Sequence, residues 1–105
     1  MSVRLYWAGD WSVVEITGEL DIQGVLSLRP LMCQRGRFVV FDLHRVTFMD
    51  CSGLGLLATV AHTASEARGC VRVVVGASRQ VPKIITLTGL DRAFHLFDSL
   101  DDALA

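Results

Sequence analysis

Asp50-Cys51-Ser52-Gly53-Leu54-Gly55 gathers the most reactive side chains of this 105-residue sequence into the least space. A carboxylate two residues before a hydroxyl, with glycine directly after it, suits a helix start. Asp50 would cap the first turn and Ser52 would stand within it, the two glycines leaving the hydroxyl unshielded. Such a serine is a small, accessible acceptor on a rigid platform. No base is identifiable beside it, and the glycine that a nucleophile elbow needs two residues before its serine is missing, which argues against acyl transfer. Cys51 sits at the same helix start, where a thiol can act as a redox sensor. The default reading is a buried or inert thiol.

Other chemistry is thinly represented. His44, His62 and His95 stand too far apart in sequence to read as a metal site, and no metal or cofactor is expected. Cys33, Cys51 and Cys70 are odd in number and form no Cys-x-x-Cys pair, which leaves no disulfide framework and suits a reducing compartment. Asp42 with Lys83 would hint at a phosphoaspartate receiver, but that needs an acidic pair after the first strand, where only Asp10 is found. Ten Lys and Arg against eleven Asp and Glu give a net charge of -1, so no global field gathers nucleic acid or an anionic membrane. The longest uncharged apolar run, about Leu54 to Ala61, falls far short of the roughly 20 residues of a bilayer span, and no leader pattern opens the chain. With 51% hydrophobic and 20% charged residues, the expectation is one soluble cytoplasmic domain over residues 1–105.

The elements that must position Ser52 follow from periodicity. Val3–Trp7 and Ser12–Thr17 are β-branched and aromatic runs around Gly9-Asp10, a type II′ hairpin signal. Trp7 and Trp11 flank that turn, either packed across strands or exposed as a patch. Asp21 would cap a helix with an inner face of Ile22, Val25, Leu26, Arg29 and Met32 or Cys33, weakened by Gly24 and kinked or ended near Arg29 by Pro30. Phe38–Phe41, ending in Asp42, reads as a central strand covered on both faces, so the sheet is partly parallel. Leu54, Leu57, Ala61 and Ala64, with Leu56 and Val60, keep a helical stripe until Gly69. Val71–Val75 is a further buried strand. Ser78 would cap a third helix with Pro82 in its first turn, Val81, Ile84, Ile85 and Leu87 inward, and Gly89 at its end. A short strand at His95–Phe97 and a helix opened by a Ser99-Leu100-Asp101-Asp102 capping box complete a ββαβαβαβα order. That order implies an α/β fold with right-handed crossovers, a mixed sheet and helices packed on it. Its useful edge lies beyond the carboxyl ends of the parallel strands, where Ser52 falls.

Asp50 to Leu57, preceded by Phe41-Asp42-Leu43 and Val46-Thr47-Phe48-Met49, resembles the signature of STAS domains, specifically the stand-alone bacterial anti-sigma factor antagonists. Gly18-Glu19-Leu20-Asp21 is similar to that family's first signature loop. Leu87-Thr88-Gly89-Leu90-Asp91, with Phe94 and Phe97, is similar to its C-terminal pattern, so the resemblance covers nearly the whole chain.

The resemblance implies a STAS fold, a mostly parallel mixed sheet with an N-terminal antiparallel hairpin, and a non-enzymatic switch. Ser52 would be the phosphorylation site, the anti-sigma factor itself the serine kinase, and a phosphoserine phosphatase of the metal-dependent type the reversing enzyme. The unphosphorylated form would bind the anti-sigma factor and free the sigma factor; the phosphorylated form would let go. Gly18, Glu19, Leu20, Asp21, Asp50, Cys51, Ser52, Gly53 and Leu54 would form the partner surface. Asp21 stays open between cap and recognition residue, and oligomeric state stays open as well. Cys51 stands where many members carry Ser or Thr, and Pro30 interrupts the first helix. A phosphate at this position would meet free N–H groups and the positive end of the helix dipole, so the domain would stay folded while a partner met a new dianion. The alternatives are a STAS scaffold with Ser52 unused, and a module sensing a nucleotide or other ligand that places an anion at the helix start without covalent chemistry.

Overall fold

The computed structural model describes residues 1–32, 36–76 and 79–105. Ser2–Ala8 and Trp11–Leu20 form β1 and β2, an antiparallel hairpin in register from Ser2 opposite Thr17 to Ala8 opposite Trp11. Gly9 at the turn has a φ of +61° while Asp10 keeps a negative φ, the type II′ pattern read from the sequence. Trp11 is half-buried, its ring 5.3 Å from that of Phe38, whereas Trp7 is exposed. α1 (Ile22–Leu28) gives way to a 3₁₀ turn over Arg29–Met32, where Pro30 has no N–H to continue the helix. β3 (Phe38–Met49), α2 (Cys51–Glu66), β4 (Cys70–Val74), α3 (Gln80–Leu87), a 3₁₀ turn at Leu90–Arg92, β5 (His95–Phe97) and α4 (Leu100–Leu104) follow. The hairpin is antiparallel and the later pairings are parallel, as expected, and the strands lie side by side in chain order.

Strand alternation sorts the core into two layers. Val14, Ile16, Val39, Phe41, Leu43, Val71 and Val73 meet Val25 and Leu28 of α1, the Leu54, Leu57, Ala61 and Ala64 stripe of α2, and Val81 and Ile85 of α3. On the opposite face Val13, Val40 and Val74 pack with Ala103, flanked by Trp11, Phe97, Leu100 and Leu104. Arg72 ties α4 to that second face. Its Nη1 donates to the Ala103 carbonyl at 2.6 Å, and its guanidinium lies 4.3 Å from the Trp11 ring centre and 5.5 Å from that of Phe97.

Several expectations are corrected. The buried side of α1 is Gly24, Val25 and Leu28, while Ile22 and Leu26 are 53% and 62% exposed and Arg29 is exposed too. A Cβ on Gly24 would stand 2.7 Å from Met1 Sδ, so the missing side chain lets the helix turn that side inward. Leu87, expected inside, is 76% exposed because α3 turns Val81 and Ile85, four residues apart, to the core. Gly69 does not supply the left-handed residue that ends α2. Arg68 does, at φ +63°, with Arg68 N–H donating to Ser65 O and Gly69 N–H to Ala64 O in a Schellman arrangement. Gly69 is needed for close approach instead, since its Cβ would fall 1.8 Å from Arg37 O. Asp42 is in the middle of β3 rather than at its end. The expected Ser78 cap and the Cys33 packing position lie outside the described residues.

Gly89, at φ +76°, follows α3, and Ser99 Oγ accepts from Asp102 N at 3.1 Å, both as read from the sequence. Among the described residues no helix is long and apolar enough to cross a membrane.

Candidate functional site

The site is built where β2 and β3 end together. Leu20 is registered on Met49, and Asp50 N donates to Leu20 O at 3.3 Å, so the residues that follow, Asp21 and Asp50, leave adjacent parallel strands side by side. Each has extended backbone, and each caps the helix it opens: Asp21 Oδ1 accepts from Gly24 N at 3.0 Å, and Asp50 Oδ1 accepts from Ser52 N at 2.9 Å and Gly53 N at 3.2 Å. Two helix starts with acidic caps therefore face the same way from one sheet edge. Asp21 is a cap whatever else it does.

Gly18 to Leu20, read as a loop, belongs to β2, which is bulged between Glu15 and Thr17 and again between Gly18 and Glu19. Gly18 has a φ of +100°, a conformation that a side chain would strain, and Thr47 Oγ1 donates to its carbonyl at 3.4 Å. A hollow of about 510 Å³ beside this bulge is lined by Met1, Gly18, Glu19, Asp21, Gln23, Gly24 and Ser27.

Ser52 is half-buried in the first turn of α2, and its hydroxyl has no hydrogen-bond partner among the described residues. The amides expected to be free around it are not all free, because Asp50 already takes those of Ser52 and Gly53 and the Leu54 amide donates to Asp50 O at 3.1 Å. A phosphate on Ser52 would therefore add its charge to Asp50 rather than replace a missing acceptor. Cys51 is exposed beside it, which removes the buried-thiol reading.

Not every residue of the expected partner surface lies on the surface. Leu20 and Leu54 are core residues and Gly53 is buried, so these three hold the site from beneath. Gly53 is not there to bare the serine. Its Cβ would lie 2.7 Å from Met49 Cγ and 2.9 Å from both Leu20 Cγ and Leu20 O, so hydrogen alone fits between α2 and the two strand ends. Gly18, Glu19, Asp21, Asp50, Cys51 and Ser52 remain at the surface or half-buried, joined by Phe48, 42% exposed, and Ile22.

Sequence reasoning missed Gln80. β3 runs on past β4, whose last paired residue, Val74, faces Asp42, so the far end of β3 lacks a strand neighbour on that side. Gln80 of α3 fills the gap: its Oε1 accepts from Met49 N at 2.9 Å and its Nε2 donates to Met49 O at 2.7 Å. The side chain imitates a strand one residue before Asp50. The only sequence signal is a glutamine at the first position of a helix. Gln80→Ala is expected to destabilise the fold by about 1–3 kcal/mol in urea unfolding and to speed amide exchange at Met49 and Asp50 above that at other β3 amides.

His44 bonds Asp42, and His62 pairs with Glu66 at 3.2 Å along exposed α2. Among the described residues no three His, Cys, Asp or Glu side chains are grouped to hold a metal ion.

The fold that carries this site is matched in known proteins. The family model described as STAS domain matches residues 4–103. The chain belongs to the STAS domain family. The anti-sigma-F factor antagonist RsfB of Mycobacterium tuberculosis is 31% identical over 97 residues, covering 89% of this chain and 78% of that protein. The crystal structure of an anti-sigma factor antagonist from Mycobacterium paratuberculosis, 29% identical, superposes with a TM-score of 0.83 over 98% of this STAS domain and 90% of that chain. The anti-sigma factor antagonist SpoIIAA in its unphosphorylated form has the same fold at 19% identity, with a TM-score of 0.77 over 96% of this chain and 92% of its own.

Proposed function

We propose that this STAS domain is a non-enzymatic anti-sigma factor antagonist whose hold on an anti-sigma factor is set by phosphorylation of Ser52. The likeness to RsfB and to the Mycobacterium paratuberculosis antagonist supports the class of function. One observation carries the assignment of the switch: an unbonded Ser52 hydroxyl in the first turn of α2, next to two acidic caps brought together by the Leu20–Met49 pairing. The anti-sigma factor acts as the serine kinase, and a metal-dependent phosphoserine phosphatase restores the binding form. Glu19, Asp21 and Cys51 with the exposed faces of Ile22 and Phe48 meet the partner around Ser52.

The test is intact mass of the wild type and of Ser52→Ala after incubation with ATP and an anti-sigma factor kinase, with complex formation followed by gel filtration. The expected result is one phosphoryl group on the wild type alone, followed by loss of its complex. A complex that persists through phosphorylation, or a phosphoryl group on Ser52→Ala, would falsify the assignment.

A further inference from the structure

β1 is an outer strand of the sheet, and among the described elements only β2 runs along it. The hairpin decides which of its backbone groups are left over. Ala8 and Trp11 flank a two-residue turn and exchange hydrogen bonds, and the alternation of an antiparallel pair repeats this for Tyr6, Arg4 and Ser2 with their partners. The N–H and C=O groups of Val3, Leu5 and Trp7 therefore point away from β2.

An edge that is to stay single is ordinarily blunted by a bulge, a proline, a lysine or shortness. β1 has none of these. It is seven residues long, its register on β2 is unbroken, and its one charged residue, Arg4, is occupied within the hairpin. Arg4 Nη2 stands 3.1 Å from Glu15 Oε2, and the guanidinium lies 4.7 Å from the Tyr6 ring centre. Val3 and Leu5 pack on the main core, whereas Trp7, next in that row, is 57% exposed. The other edge strand, β5, has only three residues.

We propose that β1 pairs with β1 of a second copy of this chain, antiparallel about a two-fold axis at Leu5, joining the two sheets edge to edge. The outward groups select the register. With Leu5 opposite Leu5, Val3 and Trp7 of one copy face Trp7 and Val3 of the other, and about six backbone hydrogen bonds form. Shifted one way, Arg4 meets Arg4 in a closely spaced pair of like charges; shifted the other, Val3 loses its strand partner. In the Leu5-centred register each Arg4 instead faces the second copy's Tyr6, and each Trp7 covers a Val3. The strand is thus complementary to itself, which singles out a second copy over an unrelated strand. The axis is perpendicular to the joined sheet, so the two Ser52 edges point in opposite directions and both stay open. The pairing stands independently of the proposed function.

Sedimentation equilibrium of the full chain is expected to show monomer and dimer in exchange with a Kd of about 0.1 mM or tighter, weak because the seam is narrow. Isotope-filtered NMR on a mixture of labelled and unlabelled chains reads the register: contacts between the Hα atoms of Arg4 and Tyr6 across copies are expected. Trp7→Pro should weaken association about tenfold or more, since the lost N–H serves the seam and not the hairpin. Tyr6→Lys, which sets an ammonium opposite Arg4, should weaken it similarly and recover in high salt. A single monomeric mass up to about 1 mM, cross-copy contacts that pair Arg4 with itself, or undiminished association in both variants would overturn the proposal. Protection of the Val3, Leu5 and Trp7 amides from exchange only when an anti-sigma factor is added would overturn it too, giving the edge to that protein. If Trp7→Pro does not fold, Tyr6→Lys and the filtered contacts decide.

Discussion

Phosphorylation of Ser52 is expected to weaken binding to an anti-sigma factor about a thousandfold, which corresponds to about 4 kcal/mol. The magnitude follows from where the charge lands. A phosphoserine brings about -1.5 to -2 charges, and the nearest amides, those of Ser52 and Gly53, are already held by Asp50. The added charge therefore joins Asp50 and the neighbouring Asp21 in one acidic patch that a docking partner must desolvate. Ser52→Ala is expected to keep wild-type affinity, and Ser52→Glu, with a smaller charge on a different geometry, to fall between the two. Isothermal titration at two ionic strengths checks the cause as well as the size, because part of an electrostatic loss should be recovered in high salt. Equal affinities for the modified and unmodified proteins would leave Ser52 outside the interface.

The second large effect separates two glycines that look alike on paper. Gly53→Ala is expected to cost about 1–3 kcal/mol in urea unfolding, because the new methyl group would overlap Met49 and Leu20. Gly55→Ala is expected to stabilise the domain by up to about 1 kcal/mol, since a Cβ there meets nothing within 4 Å and alanine is the better helix former. If the two substitutions gave the same sign, the close approach of α2 to the strand ends would be wrong. Gly53→Ala also displaces the turn that carries Ser52 and is expected to lower partner affinity, whereas Gly55→Ala leaves that turn in place.

How much of this was legible beforehand depended on how local its cause was. Asp21, Asp50 and Ser99 announce their caps within three residues, and the stripe of α2 repeats at helical spacing, so helix starts and the main core could be read directly. Non-local causes could not. Gly53 looked like a residue that bares a hydroxyl because Leu20, one of the two residues it must clear, is 33 positions away. Gln80 clamps Met49 across 31 positions, a contact created only when α3 packs beside β3. The bulges in β2 hid a strand inside what reads as Gly18-Glu19 loop chemistry. The two-turn α1 offered too few residues for its pattern to settle which side faces inward.

Strand order that repeats chain order has a consequence for how the domain is made. Each strand after the first docks on an edge that earlier residues have already built, so no strand must thread between two others and the sheet can grow as the chain leaves the ribosome. By Glu66 the hairpin, α1, β3 and α2 have all been synthesised, and with them every residue around Ser52. The clamp at Met49 arrives last, with Gln80. A nascent chain shorter than that would carry a complete but unfastened Ser52 surface, and competence to bind should appear only once α3 has been added.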